Sequence, residues 1–231
     1  VFGCSAAGEL TGWEFDSGKK LGPFLVDPKG ITALASQAGG PGEHAVVVGG
    51  EGGTVALFGP DIPGMIRPLF TCDSAVVALA ISPDGSRVAA AGRDRSIKVW
   101  SLDDGQELQG IRERPAPILA MAFRSSAVEL VIGDAVGKLS ICLTGTRDNT
   151  RWHAVHEREG AVLALALAAD DRTAVVAGAN GYLKVWDLEK WKELATLPGH
   201  RDDVRGIAVQ SRTGRIATAS ADRTIRIWKM P

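Results

Sequence analysis

The sequence has few cysteines and no long apolar segment. Its three cysteines, Cys4, Cys72 and Cys142, stand far apart. An odd number at wide spacing does not form a disulfide framework and is typical of a reducing compartment. The longest uninterrupted apolar run, residues 161–169, is too short to cross a bilayer, which takes about 20 apolar residues. We therefore expect a cytoplasmic protein that binds no membrane.

The chain also lacks an excess of charge of either sign. Its net charge is -1, with 23% charged and 45% hydrophobic residues. Binding to DNA or to an acidic membrane surface takes concentrated lysine and arginine, so we expect no nucleic-acid partner. The composition and the length of 231 residues are those of a globular protein. We predict a single domain over residues 1–231.

Residue patterns that support catalysis or metal binding are scarce. No serine, cysteine or aspartate nucleophile has a base at motif spacing, and no carboxylate pair stands out. The nearest approach to a metal pair is His153 and His156, in a predicted outer strand. A spacing of three places their rings on opposite faces of that strand. We therefore predict no catalytic residues, no cofactor, no metal and no enzyme activity.

Internal repetition is the strongest signal in the sequence. Six segments with a common pattern end 42 to 45 residues apart, at Trp13, Phe58, Trp100, Cys142, Trp186 and Trp228. In the third segment, an apolar run over 76–81 leads through a Ser-Pro-Asp-Gly turn to a second strand, 87–91. An alternating strand over 96–100 and a more polar one near 107–110 follow. Four short strands in about 42 residues, repeated, predict the antiparallel blades of a β-propeller.

This pattern resembles the WD-repeat family, whose units carry a Gly-His pair, a turn aspartate and a closing Trp-Asp. The resemblance implies an all-β propeller of four-stranded antiparallel blades. In that family, a His, a Ser or Thr, an Asp and a Trp form a hydrogen-bonded chain within a blade. Carried over, the chain comprises His200, Ser220 (with Thr218 as the alternative), Asp222 and Trp228, and in part Asp94 and Trp100. Asp134 lies outside this pattern and is expected to matter less for stability.

The family resemblance also points to a rim for binding. In WD-repeat proteins, residues just after the start of the inner strand and just before the turn aspartate face the narrow rim, where protein ligands often bind. The charged residues at these positions are Glu51, Arg93, Asp203 and Arg205. Arginine is enriched in interface hot spots, and the alternative is that these are ordinary solvated turn residues.

The units at the two ends look incomplete. The first lacks its innermost strand and most of its second, and the last stops after its third strand. A seven-bladed ring, usual in the family, would need roughly 290 residues. We therefore expect five nearly complete blades and a partial one from such a ring, truncated upstream of Val1, with association through open blade edges.

Three functions remain open at this point. The first is a non-catalytic scaffold for protein partners, whose identity the sequence does not give. The second is the sensor or regulatory propeller of a bacterial signalling ATPase or protein kinase. This chain resembles such propellers because it is rich in alanine and has more arginine than lysine. The third, an enzyme with a site in the central channel, is disfavoured because the predicted inner strands are aliphatic. We expect the scaffold.

Overall fold

The computed structural model describes residues 2–14, 16–38, 44–59, 66–112, 114–144, 153–156, 160–210 and 213–231. Within the strands, the side chains at 37, 38, 44, 45 and 153–156 are not part of that description. The chain divides into an N-terminal unit, Val1–Pro115, and a C-terminal unit, Ala116–Pro231.

The described residues of the N-terminal unit form three antiparallel sheets. The first sheet contains β1 (Phe2–Cys4), β2 (Glu9–Trp13) and β3 (Lys20–Leu25). The second contains β4 (Ile31–Ala38), β5 (His44–Gly50), β6 (Thr54–Phe58) and β7 (Ile66–Thr71). The third contains β8 (Val76–Ile81), β9 (Arg87–Gly92), β10 (Ile97–Ser101) and β11 (Glu107–Ile111).

The C-terminal unit repeats this plan in its described residues. The fourth sheet contains β12 (Ile118–Phe123), β13 (Glu129–Asp134), β14 (Lys138–Leu143) and β15 (His153–His156). The fifth contains β16 (Val162–Leu167), β17 (Thr173–Gly178), β18 (Leu183–Asp187) and β19 (Lys192–Thr196), with a 3₁₀ turn at Ala179–Gly181. The sixth contains β20 (Val204–Gln210), β21 (Arg215–Ser220) and β22 (Ile225–Lys229).

Aliphatic side chains pack successive sheets together within each unit. In the N-terminal unit, Val47 of the second sheet belongs to one buried cluster with Val76 and Trp100 of the third. In the C-terminal unit, Leu183 of the fifth sheet shares a cluster with Val204 of the sixth. Each fully buried side chain of this kind contributes about 1.5–3 kcal/mol. These clusters, rather than polar contacts, form most of the core.

A β-bulge recurs near the start of the inner strands. The register of β4, β8, β12, β16 and β20 shifts between the first residue and the third. In β20 the residue passed over is Arg205, between Val204 and Gly206. Bulges bend a strand and redirect a side chain, so this feature fixes how Arg205 leaves the sheet.

The predicted all-β fold and its division into antiparallel blades of three or four strands are confirmed. The seven-bladed ring, the single domain and the missing upstream segment stay predictions. Within the described ranges, there is no helix of the length and apolar character that crossing a membrane requires.

Candidate interaction site and its supporting network

Four polar side chains form a hydrogen-bonded chain through the sixth sheet. Trp228 Nε1 donates to Thr218 Oγ1 at 2.9 Å, and Thr218 Oγ1 lies 2.7 Å from His200 Nε2. His200 Nδ1 lies 2.8 Å from Asp222 Oδ2. Because an ionised carboxylate only accepts, Nδ1 donates to Asp222, and Nε2 of the neutral imidazole then accepts from the Thr218 hydroxyl. Every member of the chain is thereby satisfied, although Thr218 is buried.

Thr218, and not Ser220, occupies the hydroxyl position of this chain. Ser220 is the last residue of β21 and lies beside the turn. Its Oγ donates to the Asp202 carbonyl at 2.9 Å and accepts the backbone N–H of Asp222 at 3.1 Å. Thr218 lies two residues deeper in the strand on the same face, where its hydroxyl reaches both ring systems. The assignment of Ser220 to the chain is therefore corrected.

Asp222 also holds the turn between β21 and β22. Its carboxylate accepts the backbone N–H and the hydroxyl of Thr224, at 2.9 and 2.6 Å, and the backbone N–H of Arg201 at 3.1 Å. The hydrogen bonds from Thr224, followed by those from His200 and Arg201, hold the pKa of Asp222 well below its usual range. The carboxylate therefore stays ionised at neutral pH.

The third sheet keeps Asp94 and Trp100 without linking them through such a chain. Asp94 Oδ1 accepts the backbone N–H and the hydroxyl of Ser96, at 3.1 and 2.7 Å. Cys72 stands in the place of the histidine, and burial raises the pKa of its thiol to about 11. Trp100 instead stacks on Phe70 of the second sheet, with 3.3 Å between ring centroids and 14° between planes. Aromatic stacking therefore replaces the polar chain here.

The second sheet carries a variant that sequence reasoning missed. Asp27 stands four residues before the first residue of β4, as His200 does before β20. Its carboxylate accepts the backbone N–H groups of Lys29 and Gly52, each at 2.9 Å. Burial alone would raise the pKa of Asp27, but these bonds and those from Thr54 lower it. A carboxylate thus binds the β5–β6 turn from the preceding loop. The spacing of four residues between Asp27 and the first residue of β4, which matches that of His200 before β20, could have revealed this role.

Asp134, to which the sequence pattern assigned no role, lies in the core of the fourth sheet with 1% of its surface exposed. Its Oδ1 accepts the backbone N–H groups of Val136 at 3.1 Å and Lys138 at 2.8 Å. Burial and these bonds make Asp134 a structural group of its own, and the expectation that it matters less for stability than Asp222 stays a prediction.

The fifth sheet has the one literal Trp-Asp pair. Trp186 is buried, and its Nε1 has no hydrogen-bond partner. Val176 stands at the strand position that Thr218 takes in the sixth sheet. Asp187 accepts from the Arg172 guanidinium at 2.6 Å, which holds the pKa of that carboxyl well below its usual range. The dipeptide therefore acts through packing and an ion pair.

Two of the four rim residues meet in the N-terminal unit. Arg93, in the β9–β10 turn, forms a two-pronged ion pair with Glu51, in the β5–β6 turn. The Arg93 side chain is 61% exposed and that of Glu51 33%. An exposed pair of this kind contributes about 0–1 kcal/mol to stability. A partner protein can therefore break it and bind the two side chains at a small cost in free energy.

The other two rim residues meet in the C-terminal unit. Arg205 Nη2 donates to Asp203 Oδ2 at 2.9 Å, and Asp203 Oδ1 also accepts the backbone N–H of Asn180 at 3.3 Å. The Arg205 side chain is 70% exposed. Asp203 therefore joins the sixth sheet to the turn of the fifth, while Arg205 faces solvent.

The described residues offer little chemistry for catalysis. They contain no group of three or more His, Cys, Asp or Glu side chains able to hold a metal ion. The side chains of His153 and His156 lie outside the described residues. Asp222, His200 and Thr218 follow one another like the carboxylate, imidazole and hydroxyl of a catalytic triad. However, Thr218 is 1% exposed and its hydroxyl already accepts a hydrogen bond from the Trp228 indole. A substrate has no access to that hydroxyl.

Comparison with known proteins agrees with this geometry. The family model of the WD domain, G-beta repeat, matches residues 66–101, 152–187 and 191–229. Protein HIR1 of Phaeosphaeria nodorum is 28% identical over an alignment of 171 residues that covers 68% of this chain and 16% of that protein. Protein HIRA of Dictyostelium discoideum is 29% identical over 160 residues, 67% of this chain and 12% of that protein.

The chain thus spans less than a fifth of the length of either relative. The three matched segments end with the third strands of the third, fifth and sixth sheets, where the repeat is clearest. These matches show that the chain contains WD repeats, and the blades and the polar chain agree with them.

Proposed function

We propose that this chain is a non-catalytic scaffold that binds protein partners through the charged turns of its blades. The observation that carries the proposal is a division among its polar groups. His200 and Thr218 are buried and hydrogen-bonded within the sheet. Arg93 is exposed on the β9–β10 turn, and Arg205 is exposed at the bulge near the start of β20. Exposed arginines on a sheet suit protein recognition, because arginine is enriched in interface hot spots and the strands limit the backbone entropy lost on binding.

A charge swap tests this proposal without removing the ion pair. In the double variant Glu51→Arg/Arg93→Glu, the pair keeps its attraction while the charges presented to a partner are reversed. We expect an unchanged melting temperature and the loss of at least one protein from those captured out of cell extract, quantified by mass spectrometry.

The matched control is the swap Glu14→Lys/Lys19→Glu, at an exposed pair in the β2–β3 turn. It should leave the captured proteins unchanged. If both swaps retain the same proteins as the original chain, the turn of Glu51 and Arg93 is not a binding site.

A second proposed interaction is association between copies through β22. This strand pairs with β21 alone in the described chain, and Ile225 and Ile227 are 76% and 64% exposed. An edge strand with exposed isoleucines invites pairing with another strand. We expect a sedimentation coefficient that rises with concentration and that Ile225→Lys/Ile227→Lys lowers. A concentration-independent monomer would contradict this.

The alternatives have less support. The two relatives above are named HIR1 and HIRA, and neither name identifies a signalling ATPase or a kinase. The burial of Thr218 disfavours catalysis. Assays with ester, phosphate and glycoside substrates should therefore show no turnover, and metal analysis should show no stoichiometric metal. The cytoplasmic location stays a prediction from the three cysteines, none of which forms a disulfide bond.

A further inference from the structure

A cavity of about 240 Å³ opens between the fourth and fifth sheets. It lies beside Arg124, which follows the inner strand β12, whereas Asp203 precedes the inner strand β20. It is therefore a different site from the charged turns, and its occupancy can be tested independently of them.

The cavity combines an aliphatic floor with an aromatic wall. Ile141, Leu143 and Leu188 line it together with Trp191. Ile141 and Leu188 are buried in the same core cluster against which Trp191 packs. A long side chain with an apolar stem would lie along these groups and remove its methylenes from water.

Trp191 occupies a turn position that glycine fills elsewhere in the molecule. It follows Trp186 by five residues, as Gly105 follows Trp100 and Gly18 follows Trp13. All three positions have positive φ, namely 51° for Trp191, 70° for Gly105 and 66° for Gly18. A bulky residue is disfavoured in this conformation. Trp191 thus adopts a backbone conformation that tryptophan disfavours.

The carboxylates at the cavity outnumber the cations. Glu129 and Glu189 line it with a single arginine, Arg124, which lies 2.8 Å from Glu129. Glu189 lies 3.2 Å from Arg172, but Arg172 also pairs with Asp187 at 2.6 Å. One guanidinium thus serves two carboxylates, which leaves an unbalanced negative charge.

We propose that this cavity binds an arginine side chain presented by a partner protein. The stem lies on Leu143 and Leu188, the planar guanidinium stacks on Trp191, and its charge is attracted by Glu189. Arginine suits this site better than lysine, because its guanidinium stacks on aromatic rings and donates to carboxylates in a fork.

The test uses fluorine NMR on the 231-residue chain labelled with 5-fluorotryptophan. The resonance of Trp191 is assigned by its absence from the spectrum of Trp191→Gly. A melting curve is used to check that this variant folds. The probes are the blocked amino acids N-acetyl-arginine methylamide and its norleucine and glutamate counterparts. We expect a saturable shift of the Trp191 resonance with the arginine compound in the millimolar range, and roughly tenfold weaker binding of the norleucine compound.

Charge variants separate the ion-pair contribution from apolar binding. Glu189→Gln should weaken arginine binding several-fold. Its control is Asp103→Asn, three residues after Trp100 as Glu189 is three after Trp186, and it should change nothing. The proposal is overturned if arginine gives no saturable shift, if norleucine binds as well, or if Glu189→Gln binds arginine with unchanged affinity.

Discussion

The fifth and sixth sheets share a strand register and a closing tryptophan, yet they are stabilised differently. In the sixth, Trp228 donates to Thr218 within a four-membered polar chain. In the fifth, Trp186 is buried with its Nε1 unpaired, because the matching residue is Val176. The closing tryptophan is thus held by hydrogen bonds in the sixth sheet and by apolar packing in the fifth.

The burial of their third strands suggests why both solutions persist. Leu183 and Val185 on β18 are fully buried. Ile225 and Ile227, at the matching positions of β22, are 76% and 64% exposed. A sheet packed on both faces is stabilised enough by burial to tolerate an unpaired indole N–H. A sheet packed on one face gains more from directional hydrogen bonds.

Truncating the two tryptophans should give the largest contrast. Trp186→Ala removes a buried indole, and large-to-small changes of this kind cost about 3–5 kcal/mol. Trp228 is only partly buried, so Trp228→Ala should cost less in spite of its hydrogen bond. Urea unfolding of both variants gives the two free energies. An equal or larger loss for Trp228→Ala would mean that packing does not dominate the fifth sheet.

Replacing Thr218 by valine makes the sixth sheet resemble the fifth. The change preserves shape but leaves Trp228 Nε1 and His200 Nε2 without their partner. We expect a loss of about 1–3 kcal/mol, the penalty for unsatisfied buried groups. Thr213→Val, on an exposed turn residue, is the control and should have a negligible effect. A loss no greater than the control's would show that the chain adds no stability.

The reverse change, Val176→Thr, offers a hydroxyl to the unpaired Trp186 Nε1. Burying a hydroxyl is unfavourable, so the control is Val175→Thr, at a fully buried neighbour. Val176→Thr should be less destabilising by about 1 kcal/mol, since only its hydroxyl meets a free donor. Thermal or urea unfolding measures the difference. Equal losses would mean that Trp186 gains nothing from an acceptor.

The smallest effect should appear in the pH dependence. The folded-state pKa of Asp222 lies below that of the unfolded chain. Its stabilising contribution is therefore complete above the unfolded value of about 3.9 and is lost as the pH falls through the folded value. The difference in unfolding free energy between the original chain and Asp222→Asn should be constant near neutrality and shrink below about pH 4. A difference that stays constant down to about pH 2 would contradict this assignment.

The repeat made the fold predictable from sequence to within a residue or two. In the third sheet, strands expected at 87–91 and 96–100 are observed at Arg87–Gly92 and Ile97–Ser101. This succeeded because glycine and proline turns and alternating apolar residues are local signals.

The side-chain network was predictable only in part. His200, Asp222 and Trp228 could be placed by family position, but the choice between Thr218 and Ser220 depends on depth along a strand. The roles of Asp27 and Asp134 depend on which backbone N–H groups lie within reach, and a linear pattern does not show this. Trp191 could have been noticed as the residue that replaces a turn glycine.

Asp27 makes the tolerance of the β5–β6 turn to substitution depend on a residue more than 20 positions away. A Cβ added to Gly52 would lie 2.7 Å from Asp27 Oδ2, and one added to Gly50 would overlap the same carboxylate. In the sixth sheet the corresponding turn carries its own carboxylate, Asp222. A side chain at Gly50 or Gly52 therefore requires the Asp27 carboxylate to move away or to be shortened. A smaller residue at position 27 would make such a side chain easier to accommodate, because the carboxylate that it meets would be gone.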